Sequence, residues 1–155
     1  MKTLLRLGAS VAFAVTTGAV CSGQHYTQTN LVSNADGAAR VTDPQLINPW
    51  GMSRSPSSAW WVSDQRTGFS TVYNGAGVKQ SLSIAIPPSD LNNKNMPTGT
   101  PTGATFNNSQ TDFLLAPGKP ARFLFSTIDG TIAGWNPNVG IAQGTPVVRQ
   151  NAKCV

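Results

Sequence analysis

Alternating apolar and polar residues predict that this chain consists of short β-strands. In the segment VKQSLSIAI, Val78, Leu82, Ile84 and Ile86 fall on one side of an extended chain, and Lys79, Ser81 and Ser83 fall on the other. In ARFLFSTI, Phe123 and Phe125 share a side, opposite the leucine between them. After the first two dozen residues, no window shows the 3.6-residue period of an amphipathic helix. The pattern therefore predicts an all-β fold.

The predicted strands form two similar groups, each of three consecutive antiparallel strands. The first group reads WWVSD, FSTVYN and VKQSLSIAI, and the second reads ARFLFSTI, TIAGWN and TPVVRQ. Asn74–Gly77 supplies residues that tolerate positive φ, as a tight hairpin needs, and Asp129–Gly130 predicts a two-residue hairpin turn. Each group is thus expected to fold as a meander of neighbouring strands.

The two groups keep a common spacing along the chain. Three pairs of like residues are each 62 positions apart: Gly68 and Gly130, Tyr73 and Trp135, Asn74 and Asn136. Upstream, NPWGMS and TPTGAT share Pro-x-Gly, and their glycines, Gly51 and Gly103, are 52 positions apart. The ten-residue difference between the two spacings predicts an inserted hairpin around NNSQTDFLLAPGKP.

A unit of four short antiparallel strands that repeats is the sequence signature of a propeller blade. We predict a partial β-propeller of about two blades, residues 48–86 and 100–150, joined by a Pro- and Asn-rich loop at 87–99. Residues 24–47 form an N-terminal strand or linker segment before the first blade. A β-sandwich with coincidentally similar turns is the alternative.

The first 23 residues have the layout of a secretory signal peptide. Lys2 and Arg6 precede an apolar stretch, Leu7 to Val20, and small residues follow it. A retained membrane anchor is the weaker reading, because about 14 apolar residues are short of the roughly 20 that span a bilayer. A lipoprotein signal acylated at Cys21 is also weaker, since a bulky residue precedes that cysteine. We therefore expect a secreted protein, periplasmic, extracellular or on the cell surface, with no membrane span after cleavage.

The net charge bears on the possible partners, and the chain has few His and Cys residues. Without the signal peptide the chain has nine Lys and Arg against six Asp and no Glu, a net charge of about +3. The basic residues are scattered, so we expect no nucleic-acid partner. His25 is the single histidine and lies near the new N-terminus. A disulfide between Cys21 and Cys154 is possible only if the signal is cut before Cys21.

The residues also resemble a known family. LINPWGMSRSPSSAWWVSD resembles the opening of an NHL-type blade, where Pro-x-Gly leads through a turn to a strand that ends in Asp. Together with YTQTNLVSN, PTGATFNN and ARFLFSTIDGTIAGWNPN, it resembles an uncharacterised PEP-CTERM-associated family of exported bacterial proteins. The resemblance covers residues 26 to about 138. It implies export and a propeller-like fold, and it carries over no reaction and no functional residues.

The length of the chain departs from that family, whose members are more than twice as long. A closed propeller needs at least about four blades, so we expect this chain to be the N-terminal part of a larger propeller. A truncated gene, or a chain that associates with copies of itself, would also explain the length. Two blades alone would leave open strand edges, which favour pairing between chains.

Catalytic motifs are absent from the sequence. GFSTV departs from the Gly-x-Ser-x-Gly elbow at its last position. GAGVKQ lacks the third glycine of a dinucleotide fingerprint and precedes a strand instead of a helix. No HExxH motif, paired-cysteine zinc spacing or phosphate-binding loop occurs. We therefore expect no catalysis by this chain on its own and no resident cofactor.

Two weaker hypotheses about sites remain. Asp64, Asn74 and Asn136 end predicted strands, and their oxygens could ligate Ca²⁺ at a propeller axis. Asp64 is the carboxylate among them and the candidate metal ligand. Asp and Asn also have an ordinary role in turns, which is the simpler explanation. An exposed tryptophan could bind a ligand by stacking. Alternation sends Trp60 and Trp61 to opposite faces, so one of them should be core and the other more exposed.

The predicted binding residues are therefore aromatic residues, strand-end residues and one basic turn residue: Trp50, Trp60, Asp64, Arg66, Asn74, Trp135 and Asn136. The leading hypothesis for function is an exported propeller module that binds a protein or a glycan. One alternative is a fragment of a metal-dependent propeller hydrolase, lactonase or lyase, and the other is a structural component of a surface or matrix.

Overall fold

The computed structural model describes residues 26–139 and 149–151, and these residues contain no helix. The strands are β1 (Val32–Ser33), β2 (Val41–Thr42), β3 (Pro49–Ser53), β4 (Trp60–Asp64), β5 (Phe69–Tyr73), β6 (Lys79–Ala85), β7 (Pro101–Phe106), β8 (Leu114–Ala116), β9 (Lys119–Pro120), β10 (Phe123–Thr127), β11 (Thr131–Trp135) and β12 (Arg149–Asn151). The all-β prediction is confirmed for this part of the chain.

Two four-stranded antiparallel sheets make up most of the structure. The first sheet has the order β3-β4-β5-β6, and the second has the order β7-β10-β11-β12. Each is a meander of sequential strands, except that the β8–β9 hairpin is inserted between β7 and β10. This is the inserted hairpin that the unequal spacings predict. Of the closing strand predicted at TPVVRQ, residues 145–148 lie outside the described part of the chain.

The turns show why the repeated Asn and Gly positions occur. After β5, Gly77 has φ +81°, and the Asn74 side-chain Oδ1 accepts hydrogen bonds from the backbone N–H groups of Ala76 and Val78. Between β10 and β11 the connection is three residues, one longer than the two-residue turn expected from Asp129–Gly130, and Gly130 has φ +79°. A three-residue hairpin loop needs one left-handed residue, which glycine supplies without steric cost.

The two sheets pack face to face over an apolar core. Trp61 is 3% exposed and stacks on Phe123 with ring centroids 4.3 Å apart. Its ring also lies 4.8 Å from Trp135 and 6.2 Å from Phe125, measured between centroids. Ile84 of β6 belongs to the same cluster. We call the two faces that meet here the inner faces, and the opposite faces the outer faces.

Gly51 allows the first strands of the two sheets to approach closely. A Cβ atom at this position would lie 2.5 Å from the carbonyl oxygen of Thr102 and 2.6 Å from the backbone nitrogen of Ala104, both on β7. Beside it, the Ser53 hydroxyl accepts a hydrogen bond of 2.9 Å from the Phe106 backbone N–H. The glycine of the repeated Pro-x-Gly therefore has a packing role where β3 meets β7.

Replacing Gly51 with alanine should destabilise the chain by about 1–3 kcal/mol, the usual cost of overpacking an interior. Backbone atoms of β7 occupy the space that the methyl group needs, so a side-chain rotation cannot relieve the contact. Urea unfolding measured by tryptophan fluorescence would give the change. Gly75→Ala is the matched control, because nothing lies within 4 Å of the added atom there. Equal stability of the two variants would contradict this role.

Candidate functional site

The outer face of the first sheet carries an apolar groove of about 530 Å³. Side chains of β3 and β4 form its floor, and the segment before β3 borders it. The lining residues are Leu31, Val32, Leu46, Pro49, Trp50, Gly51, Met52, Trp60, Val62, Tyr73, Asn74, Gly75 and Gly77. Trp50 and Met52 are 61% and 62% exposed. Such exposure of two large apolar residues side by side marks a candidate interaction surface.

The alternation of β4 divides its two tryptophans as the sequence predicts. Trp61 is on the inner face and buried, whereas Trp60 is on the outer face, half-buried in the groove. The guanidinium carbon of Arg54 lies 5.2 Å from the Trp60 ring centroid, a cation–π arrangement. One face of the Trp60 ring is therefore occupied by a side chain of the same chain.

Three of the predicted binding residues meet in this groove, namely Trp50, Trp60 and Asn74. Asn74 is exposed at the rim, where its side-chain oxygen already holds the turn described above. The equivalent Asn136 is buried, donates a hydrogen bond of 2.5 Å to the Pro120 carbonyl oxygen and accepts one of 2.8 Å from the Asn138 N–H. Both asparagines thus stabilise the loops that follow their strands.

Trp135 and Arg66 lie away from the groove. Trp135 is on the inner face of the second sheet and contacts Trp61, so it belongs to the contact between the sheets. Arg66 is exposed in the connection between β4 and β5, and its backbone N–H donates to the Ile47 carbonyl oxygen at 3.3 Å. The structure does not bring these two residues together with Trp50 and Trp60.

Asp64 is fully buried at the end of β4. The Thr71 hydroxyl donates a 2.6 Å hydrogen bond to its Oδ2 atom, and Oδ1 is buried without a hydrogen-bond partner among the described residues. Burial raises the pKa of Asp64 to about 7, although the Thr71 hydrogen bond opposes the rise. Asp64 therefore lies in the interior and does not line the groove.

Sequence reasoning missed a second polar cluster, which ties the N-terminal segment to the first sheet. Asp43 accepts a 2.5 Å hydrogen bond from the Tyr73 hydroxyl and forms an ion pair with Lys79, whose Nζ lies 2.8 Å from Oδ2. Lys79 also donates to the Gln45 side chain at 2.6 Å. The residues are 30 to 36 positions apart, so no local spacing marks them.

The ionisation of this cluster follows from its contacts. Burial by itself would raise the pKa of Asp43, but the hydrogen bonds from Lys79 and Tyr73 outweigh burial and hold that pKa below its usual range. Burial, together with the hydrogen bond to Asp43, raises the pKa of the Tyr73 hydroxyl. Asp43 is therefore a carboxylate at neutral pH, and it fixes the Tyr73 side chain at one end of the groove.

The described residues contain neither a cluster of metal-ligating side chains nor a helix that could span a membrane. No three side chains among His, Cys, Asp and Glu come together there in a way that could hold a metal ion. None of these residues belongs to a helix long and apolar enough to cross a membrane. The predicted signal peptide at 1–23, together with His25, Cys21 and Cys154, lies outside the described residues.

Comparison with known proteins finds a likeness to a viral protein. An uncharacterised protein of Acanthamoeba polyphaga mimivirus is 35% identical to this chain over 109 residues. The match covers 70% of this chain and 26% of the viral protein, so the chain spans about a quarter of the length of the curated relative that it matches. No protein-family model and no solved structure matches the chain.

Proposed function

We propose that this chain is an exported interaction module built from propeller-type blades, which binds a protein partner through the outer face of its first sheet and is not catalytic on its own. The observation that carries the proposal is the exposed pair Trp50 and Met52 beside Trp60 on one face of the first sheet. Large apolar side chains gathered in one open patch gain free energy when a partner covers them.

The propeller-type arrangement is supported by the order of the strands. Both sheets are four-stranded meanders, and their first strands, β3 and β7, lie against each other at Gly51. Blades of a propeller are four-stranded sheets set around a central axis. The export part of the proposal rests on Lys2, Arg6 and the apolar stretch that follows them in the sequence.

The chemistry of the groove favours a protein partner over a glycan. A sugar site combines an aromatic ring face with polar groups that satisfy the hydroxyls of the sugar. Here Arg54 already covers one face of the Trp60 ring, and the Asn74 side-chain oxygen is engaged by two backbone N–H groups. Met52 and Val62 on the floor of the groove offer apolar contacts only.

Site-specific photocrosslinking tests the proposal in cells that produce the protein. With p-benzoylphenylalanine in place of Met52, we expect a defined protein adduct, identified by mass spectrometry. The same probe at Leu91, which is 56% exposed in the 87–99 loop, is the matched control and should give no such adduct. Adding Trp50→Ala to the Met52 probe should reduce the yield at least several-fold.

Two results would overturn the proposal. One is an absence of any protein adduct at Met52, or adducts that are the same at Met52 and Leu91. The other is retention of the chain on an immobilised polysaccharide that Trp60→Ala abolishes, because this would identify the face as a glycan site.

A further inference from the structure

The pairing of β4 with β5 has its equivalent in the pairing of β10 with β11, so the faces of the two sheets can be matched residue by residue. Residues of β5 and β11 correspond at a spacing of 62, and those of β4 and β10 at 63, because the β10–β11 connection is one residue shorter than the β4–β5 connection. On the inner face of the first sheet, Trp61 pairs with Val72, and the corresponding pair in the second sheet is Leu124 with Gly134. That pair lies on the outer face of the second sheet. The outer face of the second sheet is therefore equivalent to the face of the first sheet that already receives another sheet.

The opposite faces are matched in the same way. On the inner face of the second sheet, Phe123 pairs with Trp135, and this aromatic pair packs on Trp61. The corresponding pair in the first sheet is Trp60 with Tyr73, and both line the groove, Trp60 half-buried and Tyr73 buried beside Asp43. The outer face of the first sheet is thus equivalent to the face that the second sheet inserts into the junction within the chain.

The outer face of the second sheet has the apolar surface that such a junction needs. A groove of about 420 Å³ lies there between the sheet and the β8–β9 hairpin, lined by Leu124, Ile132 and Phe113 among other residues. Phe113 is 51% exposed. Gly103, which corresponds to Gly51 in the repeat, lies on the same face, where the Ser126 hydroxyl oxygen occupies the space that an added Cβ would need.

We propose that the partner is a second copy of this chain, which docks the outer face of its second sheet on the outer face of the first sheet. The contact repeats the junction that the two sheets already form within one chain. This inference rests on the proposed function, since it names the protein that the first-sheet groove binds. The interface is heterologous, because each copy contributes a different face, and its repetition gives a ring or an open chain of copies.

Two variants that each damage one face test the arrangement. Met52→Lys places a charge on the outer face of the first sheet, and Phe113→Asp places one on the outer face of the second. Both residues are exposed, and Phe113 has φ +52°, a conformation that Asp tolerates better than most residues. Neither change should therefore prevent folding, which near-UV circular dichroism would verify. Leu91→Lys is a control outside both faces.

Light scattering after size exclusion measures the molar mass of the unaltered chain, of each variant and of their mixture. We expect the unaltered chain and Leu91→Lys to associate, and we expect each face variant alone to be monomeric. An equimolar mixture of Met52→Lys and Phe113→Asp should form a one-to-one dimer, because each variant keeps the face that the other has lost.

Three results would overturn the inference: a monomeric unaltered chain with ordered tryptophan signals, face variants that still associate, or a mixture that stays monomeric. The proposed function would fail separately, in the crosslinking experiment. A Met52 adduct with a different protein would support the proposed function and contradict self-association.

Discussion

Replacing Trp61 with alanine should lower the free energy of unfolding by about 3–5 kcal/mol, the range for removing a large buried aromatic side chain. The Trp61 ring contacts Phe123, Phe125 and Trp135, all on the inner face of the second sheet. Its loss would leave a cavity between the two sheets at the centre of the apolar cluster. The free energy of unfolding of a typical domain is about 5–15 kcal/mol. At the lower end of that range, this single change would unfold the chain at ambient temperature.

Urea unfolding, followed by far-UV circular dichroism so that the signal does not depend on the removed ring, measures this effect. Trp60→Ala is the matched control, because it removes the neighbouring tryptophan from the half-buried outer face. We expect the control to cost about half as much or less, since the Trp60 side chain keeps part of its surface in water and leaves no closed cavity. Equal losses for the two variants would mean that the two sheets do not depend on Trp61 for their packing.

The strands could be predicted from sequence because their alternation is local. In a strand, successive side chains point to opposite faces, so the pattern around Phe123 and Phe125 defines both the strand and its buried side. The structure confirms this assignment, with both phenylalanines buried and Leu124 on the other face. Val78 is the exception, because it lies in the turn one residue before β6 begins, and it is 51% exposed.

The roles of the aromatic residues could be predicted only in part. Alternation separates Trp60 from Trp61, but it does not say which face meets the second sheet. Trp135 was a binding candidate on its sequence alone, and only the packing of the two sheets places it against Trp61. The Pro-x-Gly repeat that contains Gly51 could be recognised in the sequence. The reason why a glycine is needed there, the close approach of β7, depends on residues about fifty positions away.

The buried polar residues were the least predictable part of the candidate site. Asp64 was expected at a strand end with oxygens free for a cation, but it is fully buried and bonded to Thr71 on the next strand. Its neighbour in the structure, Asp43, comes from the segment before the first sheet and is joined to Tyr73 and Lys79. Contacts between such distant parts of the chain leave no spacing that a sequence pattern can reveal.

Asp64→Asn should stabilise the chain at pH 8, by up to about 4 kcal/mol, since each pKa unit corresponds to about 1.4 kcal/mol and the unfolded value is near 3.9. With the folded pKa raised to about 7, the unfolded chain releases this proton at lower pH than the folded chain. The stability of the unaltered protein due to this group therefore falls as the pH rises from about 4 to about 7, and is constant above that. Asparagine keeps an oxygen that can accept the Thr71 hydrogen bond, without a charge.

Urea unfolding of both proteins between pH 4 and pH 8 tests this, because subtracting one curve from the other cancels the groups that titrate alike in the two. We expect the difference to be small near pH 4 and to grow up to about pH 7. Asp43→Asn should have the opposite sign: the pKa of Asp43 is lowered in the folded chain, so the stability it contributes is present at neutral pH and lost as the pH falls through its folded pKa. A difference curve for Asp64→Asn that is flat across this range would show that Asp64 is ionised in the folded chain throughout. Its carboxylate would then need a partner at the Oδ1 atom, and that oxygen would be a candidate ligand for a metal ion.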